Sequence, residues 1–266
     1  MNAPRVFTRE NATDFLDSAV EPALWTALIP AAGRGSRLSF DQPKILYPIA
    51  GRTILEWLVE RMKPFCQKFV FVLSHEGLAS VKQAALPLLA GRAAFAVQNE
   101  PIGMADAIRC GLPEVATRNT LIVWGDQVAV KPESLEFLMR IHQGAAQPAA
   151  TCPTLWRDRP YIHFERSESG RVSRVLQARE GDRMPAQGES DSGVFLFRTD
   201  ALREYLPRLL ESPECIGAKT RELNFLPIFP LLGEQLITAP IMTEPESVGV
   251  NSPADVAYLE DQLRCR

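Results

Sequence analysis

Residues 29–37 read IPAAGRGSR, two glycines and two arginines placed directly after a short apolar run. Gly33 and Gly35 carry no Cβ to hold successive backbone N–H groups apart, so the segment can close into a nest for phosphate oxygens. Arg37, with Arg34 beside it, offers a planar fork of donors to the same oxygens. The string is not a Walker A motif and lacks the third glycine of the dinucleotide fingerprint. Seven residues beyond Arg37, the rigid Pro43 fixes Lys44 close to this loop. Residues 121–126, LIVWGD, form an apolar run that ends by presenting the carboxylate of Asp126. Near the C-terminus Gly249-Val250-Asn251 precedes Ser252, Pro253 and Asp255, a well-specified helix start. Ser252 performs the capping, which leaves the Asn251 amide free for other work.

These groups have to be positioned by the elements around them. Apolar runs at 24–29, 68–73, 93–98 and 120–124 read as strands, and amphipathic stretches at 54–62, 77–90 and 104–111 read as the helices between them. That alternation predicts an α/β fold, a Rossmann-like, mixed but mostly parallel sheet flanked by helices. In such a sheet ligands bind beyond the carboxyl ends of the strands, which is where the glycine string falls. From residue 149 the rhythm changes to short β-like runs at 149–154, 161–166, 171–177 and 194–198, with a polar loop over 179–192. These are expected as antiparallel additions to the sheet. Helices are expected at 200–210, 222–232 and from 253, with a strand at 235–242. Residues 1–21 read as a peripheral N-terminal arm and 22–266 as a single domain.

The 266 residues carry 29 Lys+Arg against 32 Asp+Glu, a formal charge of −3 without basic blocks. This balance argues against a dedicated nucleic-acid or membrane-surface binder, so any anion must be met locally. Cys66, Cys110, Cys152, Cys215 and Cys265 are scattered and read as reduced thiols. Charges interrupt the N-terminal segment and no later run approaches a membrane span, so a cytoplasmic protein is expected.

The string AAGRGSRLSFDQPKILYPIAGRTILE (31–56) resembles the N-terminal signature of the sugar-1-phosphate nucleotidyltransferases. Within them it is most similar to the uridylyltransferase domain of the bifunctional N-acetylglucosamine-1-phosphate uridylyltransferases. The resemblance implies the nucleotide-diphospho-sugar transferase fold, with Ala31, Ala32, Gly33, Arg34, Gly35 and Ser36 on the nucleotide and Arg37 and Lys44 as catalytic cations. It implies that Gln98, Gly103 and Met104, from QNEPIGMADA, read the base; Met104 stands where the family has threonine, and Asp106 where it often has histidine. Asp126 and Asn251 match the family's Mg²⁺ ligands, a reasonable set for an ion that takes few protein oxygens. The acceptor is expected at Glu189, Asp191, Gly193 and Gln177, where Asp191 replaces an asparagine and Gln177 a glutamate.

The function so implied is transfer of a nucleoside monophosphate from a nucleoside triphosphate to a sugar-1-phosphate or similar phosphorylated acceptor, with release of pyrophosphate. UTP is favoured, CTP next. No hexapeptide repeat is present, so no acetyltransferase activity is expected. The alternative is a catalytically silent nucleotide-binding regulatory module of the same fold. A nicotinamide dehydrogenase is disfavoured by the missing third glycine, and a nucleotide-sugar glycosyltransferase by the missing DxD motif.

Overall fold

The computed structural model describes residues 5–12, 19–33, 35–144 and 148–264. The strands are β1 (Arg5–Val6), β2 (Trp25–Pro30), β3 (Pro48–Ile49), β4 (Arg52–Thr53), β5 (Lys68–Leu73), β6 (Ala93–Val97), β7 (Asn119–Val123), β8 (Ala150–Asp158), β9 (Ile162–Arg166), β10 (Val172–Gln177), β11 (Gln187–Asp191), β12 (Val194–Arg198) and β13 (Leu236–Ala239). The helices are α1 (Ile54–Met62), α2 (His75–Leu89), α3 (Met104–Gly111), α4 (Pro132–Gly144), α5 (Thr199–Glu211), α6 (Ile228–Leu232) and α7 (Pro253–Arg264).

The central sheet has nine strands in the order β1-β13-β8-β12-β7-β2-β5-β6, with β11 paired to β8. Strands β7, β2, β5 and β6 are parallel. The chain steps outward from β2 through β5 to β6 and then returns to the other side of β2 as β7. That reversal opens a crevice at the carboxyl ends of β2 and β7. Alternation along the strands feeds two cores: Ala27, Phe69 and Phe71 face one, and Leu28, Val70 and Val72 the other. Helices α1, α2, α4 and α7 cover the first, and α3, α5 and α6 the second. The start of α1 shows how local chemistry sets an element. Thr53 Oγ1 accepts from Glu56 N at 3.2 Å while the Glu56 carboxylate takes the Thr53 N–H at 2.7 Å, a reciprocal cap.

Several expectations are corrected. Among the described residues, only β12, between β7 and β8, and β11 enter the sheet antiparallel. Strand β8 pairs parallel with β13, and β9 and β10 form a separate antiparallel ribbon. Residues 187–191, expected as loop, are a strand because β8 supplies their ladder from Asp158 to Thr154. Helix α4 falls in a stretch where no element was expected. Residues 222–227 are not helical: the Leu223 N–H donates to Ile102 O at 2.7 Å and its carbonyl accepts from Ala105 N at 2.9 Å, so its peptide groups serve a neighbouring segment. Part of the expected N-terminal arm joins the sheet, β1 pairing parallel with β13 and Ala12 being buried beside Ile237. Cys66, Cys152 and Cys215 are buried free thiols and Cys110 is partly exposed; Cys265 lies outside the described residues. Among the described residues no helix is long and apolar enough to cross a membrane.

Candidate active site

The crevice is built from the ends of β2 and β7. The Gly125 N–H donates to Pro30 O at 3.2 Å, so the turn after β7 is tied to the end of β2 and Asp126 emerges over the glycine loop. Val250, fully buried, donates its N–H to Asp126 O at 3.1 Å and brings the Gly249-Val250-Asn251 turn to the same place. Lys44 arrives from a third direction. It opens a short helical turn whose next two residues, Ile45 and Leu46, are buried in the core, which leaves the lysine facing the crevice.

The outcome is a three-residue cluster drawn from positions 44, 126 and 251. Lys44 Nζ lies 2.5 Å from Asp126 Oδ2 and 2.9 Å from Asn251 Oδ1. The two oxygens thus converge on one point from two segments and already hold a cation there. A Cβ on Gly249 would sit 3.0 Å from Asp126 Oδ1, close enough that the carboxylate would have to shift by a few tenths of an ångström. Hard oxygen donors on a partly exposed floor suit Mg²⁺, which keeps most of its ligands as water and substrate oxygens. No cluster of three or more His, Cys, Asp or Glu side chains able to cage a metal occurs among the described residues.

The glycine loop flanks this cluster. Gly35 has φ +64°, and a Cβ there would press on Lys44 Cβ at 3.1 Å, so loop and lysine pack against each other. Lys44 N also donates to Gly33 O at 3.3 Å. Ala31, Ala32 and Gly33 line a cavity of about 300 Å³ together with Lys44, Asp126, Gln98, Gly103 and Met104. Ser36 and Arg37 lie on a short helical turn after the loop, with Arg37 exposed and outside the cavity lining; Arg34 lies outside the described residues.

The expected base-reading residues meet in this smaller cavity. Gln98 is buried, and its Nε2 donates to Gly103 O at 3.0 Å and to Asp106 Oδ2 at 2.9 Å. Both neighbours accept only, which fixes the amide orientation and leaves Oε1 as the free pole of the side chain. Asp106 is itself locked by Arg109, whose Nε and Nη2 reach Oδ1 at 3.0 and 2.6 Å. Gly103 has φ +131°, and a Cβ there would fall 2.4 Å from Leu223 N, so no other residue fits without moving the 217–224 segment.

A larger cavity of about 470 Å³ adjoins the first and shares Met104, Trp124, Asp126 and Arg179 with it. Gln177, Asp191 and Gly193 line it, as does Asn251. Asp191 accepts the Gly193 N–H at 2.9 Å, and burial raises its carboxyl above the usual range against that bond and the charge of Arg157. The expectation for Glu189 is corrected. It is outside the lining, and its carboxylate accepts Arg166 Nε and Nη2, both at 2.7 Å, and Thr154 Oγ1 at 2.8 Å. A buried carboxylate so fully bonded holds β8, β9 and β11 together.

The cavities also contain residues that sequence reasoning missed. Arg179 stands at their junction, bound to Asn224 Oδ1 and 3.0 Å from Glu222. Arg157 and Trp124 come from the ends of β8 and β7, and Gln127 presents a buried amide beside Gly193. Only Trp124 lay inside a motif.

The mixed, mostly parallel sheet flanked by helices, with a lysine, a carboxylate and a glycine loop meeting in the crevice at its switch point, is the nucleotide-diphospho-sugar transferase fold. The chain belongs to the family of the MobA-like NTP transferase domain, whose model matches residues 27–192. It is similar to the bifunctional protein GlmU of Streptococcus suis, with 30% identity over 248 residues that cover 90% of this chain and 52% of that protein. The chain therefore spans about half the length of the curated relatives it matches. Among solved structures, CMP:2-keto-3-deoxy-manno-octonic acid synthetase complexed with CTP superposes with a TM-score of 0.67 at 18% identity, covering 91% of this chain and 98% of that one. A putative glucose-1-phosphate thymidylyltransferase from Bacillus anthracis gives 0.69 at 14% identity, covering 90% and 95%. At these identities the structural likeness shows the shared fold.

Proposed function

We propose that this chain transfers a nucleotidyl group from a nucleoside triphosphate to a phosphate oxygen of a sugar-1-phosphate or similar phosphorylated acceptor, releasing pyrophosphate. The observation that carries this reading is the convergence of Lys44, Asp126 and Asn251, with Nζ 2.5 and 2.9 Å from the two oxygens, on the floor between two adjoining cavities. One cavity carries the glycine loop and suits a triphosphate. The other suits the acceptor.

The acceptor oxygen attacks the α-phosphorus in line, a P–O bond forms as the bond to the β-phosphate oxygen breaks, and pyrophosphate leaves with the displaced electron pair. No covalent enzyme intermediate is required, so the protein contributes alignment and charge neutralisation. Ala31, Ala32 and Gly33, which line the smaller cavity, face the β- and γ-phosphates, and Arg37, exposed at the end of the same loop, is the cation that the resemblance assigns to them. Lys44 neutralises the α-phosphate as charge builds on its oxygens. Asp126 and Asn251 would hold Mg²⁺, which would supply positive charge at the phosphates.

Gln98 supports the choice of base. With both amide N–H groups engaged, it offers an acceptor, which suits the N3–H of uracil and next the 4-amino group of cytosine. UTP is therefore favoured, followed by CTP. The UTP, CTP and acceptor assignments are tested by a pyrophosphate-release screen of the nucleoside triphosphates against phosphorylated sugars with Mg²⁺. Release that needs both UTP and an acceptor supports the reading. Tight UTP binding with no release for any acceptor supports a silent regulatory module instead.

A further inference from the structure

The larger cavity holds two arginines that differ in how the protein uses them. Arg179 is neutralised, with Glu222 at 3.0 Å and Glu180 at 3.3 Å from its guanidinium. Arg157 has no such direct partner: its charge is felt by the Asp191 carboxyl across the cavity, but no carboxylate among the described residues lies within ion-pair distance of it, and its Nε is buried without an acceptor. Its Nη2 donates to the hydroxyl of Ser247, which in turn donates to Glu244 O at 2.7 Å. Ser247 ends the turn that leads to Gly249-Val250-Asn251, so the guanidinium is fixed to the segment that carries Asn251. An arginine oriented by a hydroxyl, with most of its donors unpaired, on the wall of a cavity that also contains Asp126 and Asn251, is a receptor for an anion.

The geometry points to Arg157 as the residue that binds the phosphate of the acceptor. This rests on the reading of the larger cavity as the acceptor side and adds the group that holds the nucleophile there. Of the two anions in the reaction, the triphosphate belongs to the glycine loop, whose residues line only the smaller cavity. Arg157 lines only the larger one. The sequence resemblance assigned the acceptor to Gln177, Glu189, Asp191 and Gly193, none of which is a cation, and Glu189 is turned away. Arg157 supplies the missing positive charge. It comes from β8, opposite Gly188 of β11, which places it on the wall next to the expected acceptor segment.

The test is direct binding, which does not depend on turnover. Glucose-1-phosphate, inorganic phosphate and UTP are titrated calorimetrically, with Mg²⁺, into the wild-type chain, Arg157→Gln, Arg157→Lys and the control Arg174→Gln. Circular dichroism and melting curves verify that each variant is folded. Loss of a charge-assisted contact should weaken glucose-1-phosphate and phosphate by about 10- to 100-fold in Arg157→Gln. Arg157→Lys should restore part of the loss, and UTP affinity and the Arg174→Gln control should be unchanged. The proposal is overturned if the wild-type chain binds neither phosphate compound, if Arg157→Gln binds them equally well, or if UTP affinity falls by the same factor. If phosphate binding depends on Arg157 but UTP binds to no variant, the anion site stands and the nucleotidyl-transfer reading fails.

Discussion

Lys44 Nζ sits 2.5 Å from Asp126 Oδ2, across 82 residues of sequence, and the same ammonium takes the amide oxygen of Asn251 at 2.9 Å. The two oxygens form one cation position with a lysine as its present occupant. In the proposed reading Asp126 and Asn251 would hold a divalent ion at this position, and Lys44 would then be the cation beside it. Asp126→Asn removes the one anionic side chain of the proposed Mg²⁺ site. Mg²⁺ affinity in the UTP complex should fall by at least about tenfold and turnover by roughly 10² to 10³. Activity titrated against Mg²⁺ concentration is the measurement, and an unshifted midpoint would remove Asp126 from the metal site.

Gly103→Ala should be one of the most damaging single substitutions. The added Cβ meets Leu223 N and O at 2.4 and 2.5 Å at a backbone φ of +131°. Strain and clash together put the expected loss on the order of 2–4 kcal/mol, and the displaced 102–105 segment should weaken UTP binding as well. Thermal unfolding and UTP titration of the variant check both, and a melting point within a degree of wild type would contradict the packing described.

Glu180 pins residues 217–224, the segment packed against Gly103. Its carboxylate accepts from Lys219 N at 3.0 Å, Thr220 N at 3.1 Å, Thr220 Oγ1 at 2.7 Å and Asn224 Nδ2 at 3.2 Å. Burial alone would push the carboxyl up, and these bonds overcome it and hold it down at about 2. Folded below its unfolded value, the group contributes stability that is present above about pH 4.5 and lost as pH falls toward 2. Glu180→Gln should therefore loosen residues 217–224 at neutral pH. Limited trypsin digestion after Lys219 and Arg221 reads this directly, with faster cleavage expected in the variant than in wild type.

His142 should dominate the mild-acid part of the stability profile. It is buried on α4, with Nδ1 2.9 Å from Thr151 Oγ1. Burial, helped by the charges of Arg198 and Arg118, lowers its pKa from 6.5 to about 3. The unfolded chain takes up the proton first, so stability is intact above about pH 6.5 and declines by up to about 1.4 kcal/mol per pH unit between there and 3. Melting curves of His142→Gln over this range should show a flatter decline. An identical slope would contradict a neutral buried imidazole.

The legible parts were those in which one segment carries its own signal. The spans of α1, β5, α3 and β12 coincide with the apolar patterns at 54–62, 68–73, 104–111 and 194–198. The convergence of Lys44, Asp126 and Asn251 was legible through the motifs that contain them. Helix α4 was not, because its apolar side chains serve two cores, Leu135, Leu138 and Met139 facing one and Phe137 and Ile141 another, which blurs the helical period. Strand β11 reads QGESD and carries no strand propensity of its own; pairing with β8 makes it a strand. The fate of Glu189 depends on Arg166 and Thr154, and the roles of Arg157 and Arg179 depend on which strands meet at the cavity, all of them tertiary facts outside any local pattern.

The most direct measurement is pyrophosphate release by the wild-type chain and by Lys44→Ala, run side by side with Mg²⁺, UTP and a panel of sugar phosphates. The wild-type chain should release pyrophosphate only when UTP and an acceptor are both present. Lys44→Ala should fold, retain UTP binding and turn over about 10²- to 10³-fold more slowly. Near-normal release by Lys44→Ala would contradict the reading of the Lys44, Asp126 and Asn251 cluster as the centre of catalysis.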